Sequence, residues 1–309
     1  MLKRKFFFIF FFYLFFFNFT YSNEIKIIVK IDNELITNVD IENEKKYLLL
    51  LNKNLNKLSK EENFILAKNS LIREKIKMKE ISKFYKENND IEFENKIIEN
   101  FYKRLGFSSK NDFEKFIMEK NLNFDNLKKK LILEGVWNQI VYRKYKDKIK
   151  IDKLYIKEKI KKNYNNQEKK YEYNLSEILV DVEKNISFIE NELVKYIEKF
   201  GFKIAANKYS KSDTSIYGGE IGWIKSSSLS EKIRKKISFI NIGEITEVIH
   251  TPNGYLILKL NDKKEITEKF NLEKELEIQV QFEQNRQLNQ YSLNYYKKLK
   301  QNANIYESK

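Results

Sequence analysis

Two periodicities divide this chain. In IKIIVKIDNELIT, Ile25, Ile27 and Val29 alternate with their neighbours at the period of a strand, and Asp32-Asn33 interrupts the run. Two short strands joined by a turn are predicted there. From Asn38 the period changes, because Val39, Ile41, Tyr47, Leu48 and Leu51 fall on one face of a helix, with Thr37 or Asn38 as its N-cap and Asp40 in its first turn. Further helices are predicted from Lys60 to Asn88, Glu92 to Leu105, Lys110 to Lys120 and Phe124 to about Ile149, the last carrying Leu127, Leu131, Val136 and Ile140. Each sets apolar residues on one side and Lys and Glu on the other, which suits packed helices and equally suits a cradle around a partner.

The polar cluster KKNYNNQEKK closes this helical part, and a mixed texture follows. YEYNLSEILV reads as a strand, Ile186 to Phe200 and Lys203 to Tyr209 as helices, and a glycine-bearing loop leads into GGEIGW. Two strands, Ile245 to His250 and Tyr255 to Leu260, flank Thr251-Pro252-Asn253-Gly254, a hairpin signal. The stretch from Thr267 to Lys300 reads as one long helix whose stripe of Leu272, Leu276, Val280, Leu288, Leu293 and Leu299 must be covered by something else. The helical N-terminal part is its natural partner. The expected fold is therefore α+β: a helical domain at residues 23–170, completed by a C-terminal helix within 264–309, with the mixed unit of 171–263 inserted between them.

The first residues set the expected compartment. Lys3, Arg4 and Lys5 precede an unbroken apolar run from Phe6 to Phe17, the layout of a secretory signal, with Thr20 and Ser22 placing cleavage after Ser22. The competing reading, a membrane anchor, needs about 20 apolar residues, whereas Asn18 already breaks this run. The expectation is export, with residues 1–22 removed and no stable membrane anchor left behind.

The formal net charge is +15, yet Lys and Glu are interspersed, as in Glu42 to Lys46 and Lys157 to Lys162, so solvated helix faces account for most of it and no nucleic-acid partner is expected. With no cysteine, disulfides, thiolate catalysis, a lipoprotein anchor and cysteine metal sites are excluded. With one histidine, His250, nucleophilic triads and histidine-rich metal sites are excluded as well, and His250 reads as a surface strand residue. Gly218-Gly219 lacks the residues of a phosphate loop and reads as a backbone turn. No cofactor is expected. Residues alone thus describe an exported helical protein with a small α/β module and an open function.

The order of short strings in that module adds more. Ser176-Glu177-Ile178-Leu179-Val180, then AANKYS at Ala205 to Ser210, then GGEIGW at Gly218 to Trp223, then Ile242-Gly243-Glu244-Ile245 and Asn253-Gly254-Tyr255 through Leu260, resemble in sequence and order the parvulin peptidyl-prolyl isomerases. The resemblance spans about Tyr171 to Lys263 and implies a four-stranded antiparallel sheet with helices. The surrounding signal, strand pair with Asp32-Asn33-Glu34-Leu35-Ile36-Thr37, helical domain and closing helix resemble the SurA-like periplasmic chaperones. That resemblance implies a periplasmic chaperone whose clients are unfolded polypeptides, outer-membrane proteins among them, presenting X-Pro segments.

Prolyl isomerisation is rotation about a partial double bond with a barrier of about 20 kcal/mol, so it needs no nucleophile. The resemblance implies an apolar proline pocket at Ile221, Leu229 and Ile233, positions that would serve equally as ordinary core. It implies polar site positions at Ser212, Asp213 and Asn253. The family's two histidines are replaced by Glu177 in the opening strand and Leu256 in the last one. These departures imply weak catalysis and leave three readings open: a chaperone with slow isomerase activity, a dedicated isomerase, or an assembly protein that uses the fold for docking.

Overall fold

The computed structural model describes residues 24–85, 90–165, 171–181, 186–251, 254–266 and 271–308. The expected signal, its cleavage site and Asn253 lie outside the described residues.

The N-terminal part begins with β1 (Ile27–Ile31) and β2 (Glu34–Thr37), paired antiparallel through a turn at which Asp32 adopts φ 51. Thr37 then caps α1 (Asn38–Leu51) in a reciprocal box: the Asp40 amide donates to the Thr37 hydroxyl at 3.2 Å, and the Thr37 amide donates to the Asp40 carboxylate at 2.8 Å. The same device opens α2 (Lys60–Ile81), where Ser59 and Glu62 exchange hydrogen bonds. Helices α3 (Ile91–Arg104), α4 (Lys110–Glu119) and α5 (Phe124–Tyr145) follow, capped by Asp90, Ser109 and Asn123. The sequence carried helix α2 to Asn88 and α5 to about Ile149. The structure ends α2 at Ile81, and α5 tightens into a 3-10 turn at Lys146–Lys148. A further helix, α6 (Lys153–Asn165), occupies the segment the sequence left unassigned.

The inserted unit contains β3 (Tyr171–Val180), α7 (Ile186–Phe188), a π-helical stretch (Ile189–Leu193), α8 (Val194–Phe200), α9 (Phe202–Tyr209), β4 (Glu220–Lys225), α10 (Glu231–Ser238), β5 (Ile249–Thr251) and β6 (Gly254–Glu265). The sheet order is β4-β3-β6-β5, antiparallel throughout, as the resemblance implied. One face packs Ile178, Val180 and Ile257 on α8 and α9. The other packs Tyr173, Leu175, Leu258 and Leu260 on Leu229 and Ile237. The penultimate strand is shorter than its sequence pattern, since only a bridge from Ile245 to Lys259 precedes β5.

Helix α11 (Leu272–Gln301) returns to the helical part, and β7 (Ile305–Glu307) adds a third strand to the first sheet, in the order β2-β1-β7. The helical domain is thus closed by the chain's far end. Trp137 of α5, fully buried, stacks on Tyr295 of α11 at 5.3 Å and donates its indole N–H to Ser292 at 2.9 Å. Tyr145 stacks on Tyr291 at 4.6 Å. The deepest positions of α11 differ from the predicted apolar stripe: Glu275, Gln279, Ser292 and Tyr295 are buried, while Leu272, Leu276, Val280, Leu288, Leu293 and Leu299 are half-buried. Glu275 tolerates burial because Lys225 and Ser227 of the inserted unit donate to its two oxygens at 2.5 and 3.0 Å.

Candidate active site

The opening strand delivers the first site residue. Along β3 the side chains alternate, so Ile178 and Val180 enter one core while Leu175, Glu177 and Leu179 face the other side of the sheet. Across from Leu179 stands Leu256 of β6, and across from Leu256 stands Ile249 of β5. These three apolar residues and Glu177 form the floor of a cavity of about 610 Å³.

The loop after β4 and the helix it feeds supply the wall. Leu229 is buried and Ile233 half-buried, both on the cavity, and the Ile233 amide donates at 3.3 Å to Ser230, the N-cap of α10. The cap fixes where the helix begins and so where Ile233 points. Ile221, the third expected wall residue, is placed elsewhere. It is the extra residue of a bulge, because Leu175 pairs with Gly222 while Ser176 pairs with Glu220, and it is 37% exposed and off the cavity lining.

Of the expected polar positions, Ser212 meets Glu177. The Ser212 hydroxyl donates to Glu177 Oε1 at 2.5 Å, and the Thr214 hydroxyl donates to the same oxygen at 3.0 Å. Thr214 is the member that sequence reasoning missed, its only signal being its place two residues beyond Ser212. Ser210 prepares the loop by accepting from the Ser212 amide at 3.3 Å and the Leu179 amide at 3.1 Å. Asp213 opens the 3-10 turn Asp213–Tyr217. His250 is exposed at the cavity edge, set edge-on to Tyr255 at 4.8 Å.

Gly219 holds this loop against the sheet. Its φ is +79, its carbonyl accepts from the Glu177 amide at 2.7 Å, and a Cβ there would lie 2.2 Å from the Glu177 carbonyl oxygen.

The helical domain closes the site's far side. Tyr155, Ile156 and Ile160 of α6 and Phe282 of α11 face the cavity, joined by the Arg286–Glu283 pair at 2.7 Å. Hydrogen bonds from Arg286 hold the Glu283 carboxyl below its ordinary range despite its partial burial. A second link runs to the active loop: Asn52 donates to Asn207 at 2.8 Å, and Asn207 donates to the Ser215 carbonyl at 2.7 Å.

With an apolar floor and wall, a carboxylate bound by two hydroxyls and no histidine pair on the lining, the arrangement can seat a small apolar ring and offer a polar edge beside it. No group of metal-binding side chains occurs among the described residues.

Comparison with known proteins agrees with that geometry. Residues 159–262 match the Rotamase family, a PPIC-type PPIASE domain, so the chain carries a parvulin domain of that type. It is similar to Chaperone SurA of Pseudomonas putida, with 26% identity over 179 residues, covering 55% of this chain and 42% of the relative. It is also similar to Chaperone SurA of Pseudomonas aeruginosa, with 25% identity over 161 residues, covering 49% of this chain and 39% of the relative. The chain thus spans less than half the length of these curated relatives. Among solved structures, a SurA-like chaperone of Campylobacter jejuni shares 18% identity, with 92% of this chain and 99% of that one covered at a TM-score of 0.37. PrsA from Bacillus subtilis shares 20% identity, with 89% and 92% covered at a TM-score of 0.29.

Proposed function

We propose that this protein is a periplasmic folding chaperone for unfolded polypeptides, outer-membrane proteins included, whose parvulin domain slowly isomerises X-Pro bonds in those clients. In this reading residues 23–170 and 264–309 form the chaperone body and 171–263 the rotamase unit. The observation that carries it is the cavity in which Leu229, Ile233 and Leu256 stand beside Glu177 within the segment that matches the rotamase family. The proline ring enters the apolar side, and Glu177, held by Ser212 and Thr214, stands at the polar edge.

Catalysis asks little of such a site, because lowering a rotation barrier by about 4 kcal/mol accelerates it roughly a thousandfold. Apolar surroundings disfavour the planar, charge-separated amide more than the twisted one, which is the direction required. Export is supported by the basic then apolar N-terminal run. No helix among the described residues is long and apolar enough to cross a membrane.

Two assays on the full chain test this: suppression of aggregation of an unfolded outer-membrane barrel protein, and acceleration of cis-to-trans conversion in a proline tetrapeptide. Both activities are expected, the second weak. Turnover without suppression would favour a dedicated isomerase, and neither activity would favour a docking role.

A further inference from the structure

A second cavity, of about 240 Å³, lies where three parts of the chain meet: α1 and α2 of the helical domain, the segment from Asn207 to Ile216 that carries the active loop, and the C-terminal half of α11. Its lining includes six cations, Arg73, Lys77, Lys208, Lys211, Lys297 and Lys300, and no carboxylate. Three of the six are neutralised from outside the cavity, Lys77 by Glu134 at 2.7 Å, Lys208 by Glu62 at 3.0 Å and Lys297 by Asp181. Among the described residues, the other three have no carboxylate partner within salt-bridge distance. Among the described residues, Arg73 reaches the Ser215 hydroxyl, at 3.4 Å, and Tyr296, whose ring lies 6.0 Å away.

Such a cluster costs free energy while it is empty of counter-charge. Burial, then the like charges of Lys300 and Arg73, lower the pKa of Lys211, and Asp181, which acts against this, is also engaged by Lys297. A multiply charged anion between these cations would remove the repulsion and satisfy Arg73 with the paired geometry that guanidinium offers an oxyanion. The cations converge on one space from a helix, a loop and a second helix. A compact charge needs that layout, whereas an extended chain would need cations set in a row. Asn69, Ser70 and Ser215 add neutral polar groups to the same lining.

We propose that this cavity is a binding site for a phosphate-class oxyanion, held by Arg73, Lys211 and Lys300. Its occupation ties the helical domain and α11 to the loop that carries Ser212. The site is separate from the proline cavity and does not depend on whether that cavity catalyses anything.

The test is thermal unfolding of the full chain titrated with inorganic phosphate at constant ionic strength, with chloride as the balancing anion. Phosphate is expected to raise Tm saturably. The double variant Lys211→Gln/Lys300→Gln should lose at least tenfold in apparent affinity and should melt at or above the wild-type Tm when no phosphate is present. Lys235→Gln, on the solvent face of α10, should titrate as wild type. Equal Tm in phosphate and chloride, or an unchanged titration in the double variant, would overturn the proposal. Phosphatidylglycerol vesicles distinguish the source. Vesicle binding that the double variant loses assigns the oxyanion to a lipid headgroup, and phosphate binding without vesicle binding assigns it to a soluble anion.

Discussion

The Ser212 hydroxyl and the Glu177 carboxylate, 35 residues apart, meet at 2.5 Å on the edge of the apolar cavity. Strand β3 brings one, the loop after α9 brings the other, and Gly219 lets the two backbones approach. Where parvulins commonly carry a histidine in the opening strand, this chain carries an acceptor to which the Ser212 and Thr214 hydroxyls donate.

If that contact poises the site, Ser212→Ala should lower kcat/KM on a proline peptide by about tenfold, since a hydrogen bond to a charged group contributes about 1.5–3 kcal/mol. Thr214 would still donate to Glu177, so the loss should be partial, and Ser212→Ala/Thr214→Val should deepen it. Turnover unchanged in the double variant would assign the contact to loop structure alone.

Gly219→Ala is a structural test of the same loop. The left-handed backbone disfavours any side chain, and the new Cβ would meet carbonyl backbone rather than a movable side chain. Strain of that kind costs about 1–3 kcal/mol before the clash is counted. Chemical denaturation of the variant should show at least that loss, and a wild-type midpoint would contradict the geometry.

Tyr295→Ala should destabilise the helical domain by about 3–4 kcal/mol, as expected for a large buried aromatic. It removes the stacking partner of Trp137 and a hydroxyl that donates to Glu80. The readout is the fluorescence of Trp137 during urea unfolding. Trp223, the chain's other tryptophan, is about 43% exposed and reports separately on the rotamase unit. A loss confined to the Trp223 signal would contradict the closure of the helical domain by α11.

Acid should loosen the joint between the two units. Burial opposes the charge on Glu62, but hydrogen bonds from Lys208, the Ser59 amide and Tyr196 outweigh it and lower its pKa to about 2. A carboxyl with a depressed folded-state pKa contributes stability that is present above its ordinary value near 4.5 and is lost as pH falls towards 2. Glu62→Gln should therefore weaken the wild-type protein at pH 7 by about 1–2 kcal/mol, and the difference should vanish near pH 2. A difference independent of pH would rule out this ionic origin.

Much of this architecture was legible in the residues, and the departures have physical causes. Helix starts were readable where a capping side chain precedes an apolar face, as at Thr37 before Val39 and Ile41. Helix α10 was not, because EKIRKKIS shows only Ile233 and Ile237 among charges, and its place comes from the sheet beneath it. Strand β7 is three residues long and exists only because β1 offers it an edge. The stripe on α11 was read from leucines, whereas packing against two units buries Glu275 through its ion pair with Lys225. At the site, Glu177, Leu229, Ile233 and Leu256 line one cavity. Ile221 was displaced by a bulge that no alternation pattern reveals.

The most direct test of the central claim is cis-to-trans isomerisation of a proline tetrapeptide by the full chain and by Ile233→Asp, a half-buried position where a charge would fill the apolar cavity without emptying the core. The account predicts that wild type exceeds the uncatalysed rate and that Ile233→Asp returns to it while keeping wild-type circular dichroism. No acceleration by wild type, or equal acceleration by both, would contradict it.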